Sequence, residues 1–409
     1  MLKRLKASSL LQAVFVCLLI VLVCFGMLLL ASYTSLFQQS ALGKVQLQLT
    51  NDAALTRQLS KDIFSEEEAQ PMSIFDDDIQ TLTKTFDWGF YNIVSATTFH
   101  NKDTIQKAVL VGKSTTDNTA LYITDYDKIQ SIAGNVTIIG NVNVPKARFE
   151  EKNMQGEKTV IRINGITMNS QDKLTKIKEL TSKLPTIYDE GFSLENSSNQ
   201  VVYVHSFHQK TAFLKISDAR FLEGKKLKGN IIIEKSGTLV ITKNMELEDV
   251  IVKADEVRIE HGFTGNLQII AKNMVYLEEE VQLKYPSSIL IENPKEAATI
   301  IIEKKSVVMG GIVLQNSNRK TAEKSLITIE KDALIVGTIY CNGTLELQGK
   351  IYGSVYTDRF MTRLENAEYK NLLMNVEIDR SKLPETFVGI SLFDTKTEKK
   401  TAYGIVKEL

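Results

Sequence analysis

Between residues 229 and 357 the chain takes a long series of very short apolar steps. They fall at 231–233, 239–241, 250–252, 257–259, 267–270 and 274–277, and after a less regular patch at 289–291, 300–302, 312–314 and 327–329. Each step is rich in Ile and Val and is separated from the next by Gly, Asn or charged residues. Strands this short suit a solenoid, where each coil buries its inward side chains against the coils above and below. The end of the run is the most regular: Gly337, Gly343 and Gly349 are six residues apart, each opening a Gly-x-Ile/Leu step, and Gly353 follows sooner. A six-residue side with a glycine turn predicts a parallel β-helix, because glycine reaches corner dihedrals at low cost. A β-sandwich or barrel is the rival architecture, since many short strands with turn signals fit it too. The first six steps start seven to eleven residues apart and later ones lie wider, so the coil outline is not strictly repeated.

The other strong constraint is at the N-terminus. Lys3, Arg4 and Lys6 precede an apolar run from Leu10 to Ala31, 22 residues interrupted only by Gln12, and no further charge appears until Lys44. A bilayer needs ~20 apolar residues in a helix. The basic leader predicts a cytoplasmic N-terminus, with everything beyond about residue 35 on the far side. A cleaved signal peptide would have a shorter apolar region of ~7–15 residues and a small-x-small site. A lipoprotein would place small residues before its cysteine, but Val23 precedes Cys24. A retained signal anchor, with the rest of the chain beyond the membrane, fits best.

Basic leader, apolar run and continuing helix together resemble the N-terminus of type IV pilin-like proteins and pseudopilins. That resemblance implies peptidase cleavage after a small residue just before the apolar run. Here the cut would fall between Ala7 and Ser8 and leave Gln12 at the fifth mature position, where the family carries glutamate. It also implies assembly, or registration in the membrane, through the first helix.

Residues 33–64 read as a stalk. Leu42, Val45 and Leu49 have helical spacing, as do Leu55, Leu59 and Ile63, but the step from Leu49 to Leu55 breaks the phase. Asn51 or Asp52 is a candidate cap for a second helix at that break. Alternation of Val45, Leu47 and Leu49 is also compatible with a short strand. The stripe would pack on a partner helix or on the chain's own domain. Residues 65–133 form an acidic linker, with clusters at 66–68 and 76–78 that read as a solvated charge run, followed by a small module with the only tryptophan, Trp88.

Gly134 and Gly140 repeat the six-residue glycine spacing, which places the start of the β-helix at 134–228. Within it, Leu174, Ile177, Leu180 and Leu184 predict an amphipathic helical insertion over 172–184, ended by Pro185. Leu121, Tyr122, Asp125, Gly134, Ile138, Gly140, Pro145 and Lys146 resemble a stretch of envelope proteins of the Bacteroidota, a likeness that implies a bacterial envelope setting and no activity. The run GTIYCNGTLELQGKIYGSVYT is similar to bactofilin-like β-helices, which assemble end to end and are usually cytoplasmic. Residues 358–409 leave the step pattern and read as a C-terminal cap, with Val388, Ile390 and Leu392 alternating near the end.

Chemistry-bearing patterns are sparse. Lys+Arg and Asp+Glu both number 49, which argues against a nucleic-acid binder. Of three cysteines, Cys17 and Cys24 lie in the apolar run and Cys341 stands alone, so no disulfide or zinc spacing exists. His205 and His208 form an i, i+3 pair without a third spaced ligand, and the acids of 278–280 read as a charged coil corner. Phosphate loops, nucleophile elbows and dinucleotide fingerprints are absent. A β-helix polysaccharide enzyme would need acids recurring at one coil period, and Asp249 and Asp255 do not recur so.

The sequence therefore predicts a mainly β protein: a leader and transmembrane helix (1–32), a stalk, a parallel β-helix centred on 229–357 with a helical insertion, and a C-terminal cap. The expected role is a non-enzymatic scaffold or binding protein of the cell envelope, without metal or cofactor. A pilin-like subunit and a carbohydrate-active enzyme are the alternatives. Expected partners are the lipid bilayer and envelope or pilus-like assembly proteins, with self-association or glycans also open.

Overall fold

The computed structural model describes residues 7–60, 71–75, 78–114, 117–154, 158–177, 184, 185, 188, 189, 201–292, 294–364, 367–390, 392, 393 and 402–409. The leader, the acids of 66–68 and residues 178–183 of the expected helix lie outside these. The protein is mainly β with one long N-terminal helix, and its strands form one large sheet, parallel but for one hairpin, and one four-stranded sheet. Two compact units divide it: residues 1–57, 69–83 and 96–106, and the remainder.

The second unit is a β-solenoid whose core is a set of stacked ladders. On one side Leu214, Ile233, Val252, Ile269, Ile289, Ile312, Ile339 and Val355 lie in parallel register, coil on coil. A second ladder runs Leu239, Val257, Val275, Ile300, Ile327, Leu345 and Phe360. All of these side chains are buried. Each contributes about 1.5–3 kcal/mol by leaving water, and the β-branched majority suits the pleated surface.

Chain order and spatial order differ. Val355 pairs not with a later residue but with Leu121, which in turn pairs with Val142. A third ladder makes the same turn: Ile335, Ile351 and Ile378 continue into Ile138 and then Ile163. Residues 119–169 thus extend the stack beyond 350–379, although they precede it in sequence. The chain re-enters at the opposite end, at Tyr188–Asp189 and Val202–His205, and winds back. Two expectations change accordingly. Residues 134–169 belong to the stack but do not lead coil by coil into 229–357, whereas 202–228 do. Residues 358–409 are not the cap either: Leu372–Asp379 is a strand inside the stack, Ala367–Lys370 forms an antiparallel hairpin with the end of the preceding strand, and Ala402–Glu408 joins the four-stranded sheet. Parallel pairing needs no local connection, so a coil's sequence does not name its neighbour.

The expected insertion helix is not seen in 172–177. These residues run as bends and extended chain, with Ile177 in an antiparallel bridge to Phe393. Leu174 and Ile177 are buried in an apolar cluster with Tyr122, Tyr340 and Tyr356, so burial takes their apolar pattern without helical geometry. The same cluster contains Ile232, Ile251, Ile270, Leu290 and Val313, whose side chains point away from the solenoid core, together with Trp88, Phe90, Tyr91 and Ile93. Gln268 pins this layer, accepting from the Phe90 N–H at 2.8 Å and donating to the Trp88 carbonyl at 2.9 Å.

On the outer face, charges pair between neighbouring coils: Arg258 with Glu278, Lys272 with Asp255, Lys305 with Glu280 and Lys228 with Glu248, while Lys407, on the last strand of the four-stranded sheet, also reaches Glu248. Each of these carboxylates is held below its ordinary pKa. For Glu278 the causes are the His261 N–H and then Arg258; for Asp255, Lys272 and then the Gly237 N–H; for Glu280, Lys305. Burial pulls Glu248 upward, but Lys228 and Lys407 more than offset it. A carboxylate with a depressed folded pKa stabilises the fold above its unfolded value and loses that contribution as pH falls through the folded value. The denaturation midpoint is therefore expected to hold from pH 7 to about 5 and to decline below about 4. Because the pairs are exposed, the decline should shrink at 1 M salt. A midpoint that rises on acidification would contradict the assignment.

Candidate assembly and membrane helix

One helix runs unbroken from Ala7 to Leu59, 53 residues, about 80 Å at ~1.5 Å per residue. From Leu10 to Gln46 every side chain is exposed, and the apolar part is long and apolar enough to cross a membrane. The phase break at 49–55 does not interrupt it, and neither a second cap nor a strand forms there. Leu47, Thr50, Asn51, Ala54 and Leu55 are buried along one face, at the i, i+3, i+4 spacing of a helix. Two of the five are polar, so apolar residues alone trace the wrong stripe.

Asn51 explains why a polar residue sits there. Its Nδ2 donates to the Ala96 carbonyl and to Thr98 Oγ1, each at 3.0 Å, and reaches the Ile105 carbonyl at 3.4 Å. Thr81, Thr83 and Thr98 are also buried, with the Thr81 and Thr98 hydroxyls 3.0 Å apart. Short hydroxyl side chains suit both a strand and a close-packed helix, and the Thr98 hydroxyl adds a side-chain acceptor for Asn51 beside the two backbone carbonyls. The run TLTKTF (81–86) carried this signal as period-2 threonines.

The opposite face is apolar and open. Leu42, Val45 and Leu49 are exposed by 70%, 55% and 61%. Of the processing residues, Ala7 is the first described residue of the helix, Ser8 follows it, and Gln12 is exposed on its surface.

The five glycines singled out by spacing lie in the solenoid at different kinds of position. Gly134, Gly140 and Gly337 have positive φ; Gly343 and Gly349 do not. The recurrence in space is not the six-residue one. Ser287, Gly310, Gly337 and Gly353 are register partners on successive coils. A Cβ on any of these glycines would overlap the carbonyl oxygen of the preceding member. Gly310 was not legible as part of this set, because the coil lengths between members are unequal.

The chemistry-bearing residues do not converge. His205 is buried, with Nε2 2.7 Å from the Lys210 carbonyl, while His208 is exposed. Among the described residues no three His, Cys, Asp or Glu side chains are placed to hold a metal ion. Burial pushes the Cys341 thiol up, above the range in which a thiolate forms at neutral pH.

No family model matches the chain, and no curated protein matches it. Among solved structures, the competence-associated pilin ComZ from Thermus thermophilus aligns with 91% of this chain and 95% of its own at 12% identity, with a TM-score of 0.22. Superposition that loose is below what a common fold requires. The helix and sheets described above define the class: a mainly β protein with a membrane-length N-terminal helix.

Proposed function

We propose that the protein is a pilin-like, membrane-anchored subunit that carries a β-solenoid on the outer side of a bacterial inner membrane, with an assembly or binding role rather than a catalytic one. The unbroken helix carries this reading. Its first half is apolar all round, as a lipid-embedded helix requires. Its second half buries one face in its own unit and leaves Leu42, Val45 and Leu49 open on the other. A stripe of that kind fits the helix of a neighbouring subunit better than water. The partners are then the lipid bilayer and other subunits or assembly factors of the envelope.

N-terminal sequencing of the mature protein tests this reading. A start at Ser8 is expected, and substitution of Ala7 by a bulky residue should leave the leader attached. An intact Met1 in the wild-type protein would remove the pilin-like part and leave a plain signal-anchored scaffold. Deleting residues 1–35 should release the protein into the soluble fraction; retention on membranes after a salt wash would count against anchoring through this helix.

A further inference from the structure

A cavity of about 220 Å³ opens on the flank of the solenoid, between the strand ends at Ser354 and Tyr356, the loop at Asp117, and residues 380–390, 392 and 393. Its apolar part is aromatic: Phe393 lies edge-on to Tyr356 with ring centroids 5.0 Å apart, and Phe387 lines the same space. Its polar part is organised around Arg380. One guanidinium nitrogen donates to Ser354 Oγ at 2.7 Å, and Ser354 in turn donates to the Thr119 carbonyl at 2.7 Å, so the arginine is held in place by a buried hydroxyl. No carboxylate among the described residues lies within ion-pair distance of Arg380. Of the two acids in the cavity wall, Asp117 and Glu385, the first is already engaged. Its Oδ2 accepts from the Tyr356 hydroxyl at 3.1 Å, and its Oδ1 accepts from the Thr119 N–H at 3.1 Å and hydroxyl at 2.8 Å.

A half-buried guanidinium fixed at one nitrogen keeps the rest of its planar fork for a ligand, and the group that fits that fork is a carboxylate. Aromatic walls beside it suit the C–H face of a sugar ring, and the Thr338 hydroxyl and the Glu385 carboxylate offer partners to hydroxyl groups. We propose that this cavity binds a uronic acid, a carboxylated sugar, with its carboxylate on Arg380 and its ring against Phe387 and Phe393. The volume admits one ring. The sugar can come as a free monosaccharide or as one residue of an acidic polysaccharide.

Calorimetric titration of the full chain in detergent with D-galacturonate tests this, with D-galactose as the neutral control and oligogalacturonate as the polymer. Galacturonate should bind one per chain at millimolar concentration and at least about tenfold more tightly than galactose, a difference of ~1.4 kcal/mol, since hydrogen bonds between ionised groups are the stronger kind. Arg380→Gln should lose that preference. Thr338→Phe, which fills the cavity and keeps the arginine, should lose binding of both sugars and serves if Arg380→Gln fails to fold. Oligogalacturonate binding tighter than the monomer would identify the polysaccharide as the source, and equal binding the free sugar; either supports the site. Absence of galacturonate binding, equal binding of galactose, or wild-type binding by Thr338→Phe would overturn it.

Discussion

Gly337→Ala is expected to destabilise the solenoid by roughly 2–6 kcal/mol, combining ~1–3 kcal/mol of backbone strain with ~1–3 kcal/mol of forced separation between coils. Gly337 has φ +137°, and a methyl group there would overlap the Gly310 carbonyl oxygen of the adjacent coil. That oxygen belongs to backbone held in register from Val307 to Leu314, so it cannot rotate aside. Gly237 is the internal control. It also has positive φ (+75°) but nothing lies within 4 Å of its missing Cβ, so Gly237→Ala should cost only the left-handed strain of about 1–2 kcal/mol. Urea denaturation of the two variants decides the matter: equal losses would mean that the glycine ladder is not set by close approach between coils.

Leu121→Asp is expected to have the second large effect, more than about 4 kcal/mol, because a carboxylate would be placed without a partner in a dry core. Leu121 is fully buried and joins the two parts of the stack, with Val355 on one side and Val142 on the other. The damage should be local in a way that chain order would not suggest. Hydrogen exchange should accelerate in both Gln130–Ile139 and Leu372–Asp379, which pair with each other although far apart in sequence. Glu246–Ile259 and Thr264–Leu277, several coils away, should keep more protection. Fast exchange spreading evenly over all coils would show instead that the solenoid unfolds as a single unit.

Different parts of the molecule were legible to different degrees. The short Ile and Val steps identify β-strands facing a common core, and most of them lie in the strands and ladders described above. The apolar N-terminal run was equally plain. The stalk was harder: apolar spacing suggested a break at Leu49–Leu55, because the buried face there uses Thr50 and Asn51, which hydropathy counts as solvent-facing. Glycine spacing also misled in part. Gly337 and Gly353 belong to a spatial ladder, but its member Gly310 falls outside the six-residue pattern, since the loops between coils vary in length. The expected helix at 172–184 rested on apolar spacing and on Pro185 as its end, and over 172–177 those apolar residues serve an aromatic cluster instead.

What the sequence determined by itself is local and periodic. It specifies which segments are strands, which side chains seek a core, and that the first segment is long and apolar enough to cross a membrane, since these depend on residue type and near-neighbour spacing. What only the tertiary structure decided is which coil lies next to which. The N-terminal segment 119–169 closes the end that the C-terminal residues were expected to cover, the last strand joins the four-stranded sheet, and Arg380 comes to line a cavity with residues from four separate stretches of chain. Parallel ladders bury the same Ile and Val side chains against any matching neighbour, so the choice among neighbours lies in long-range packing that no local pattern records.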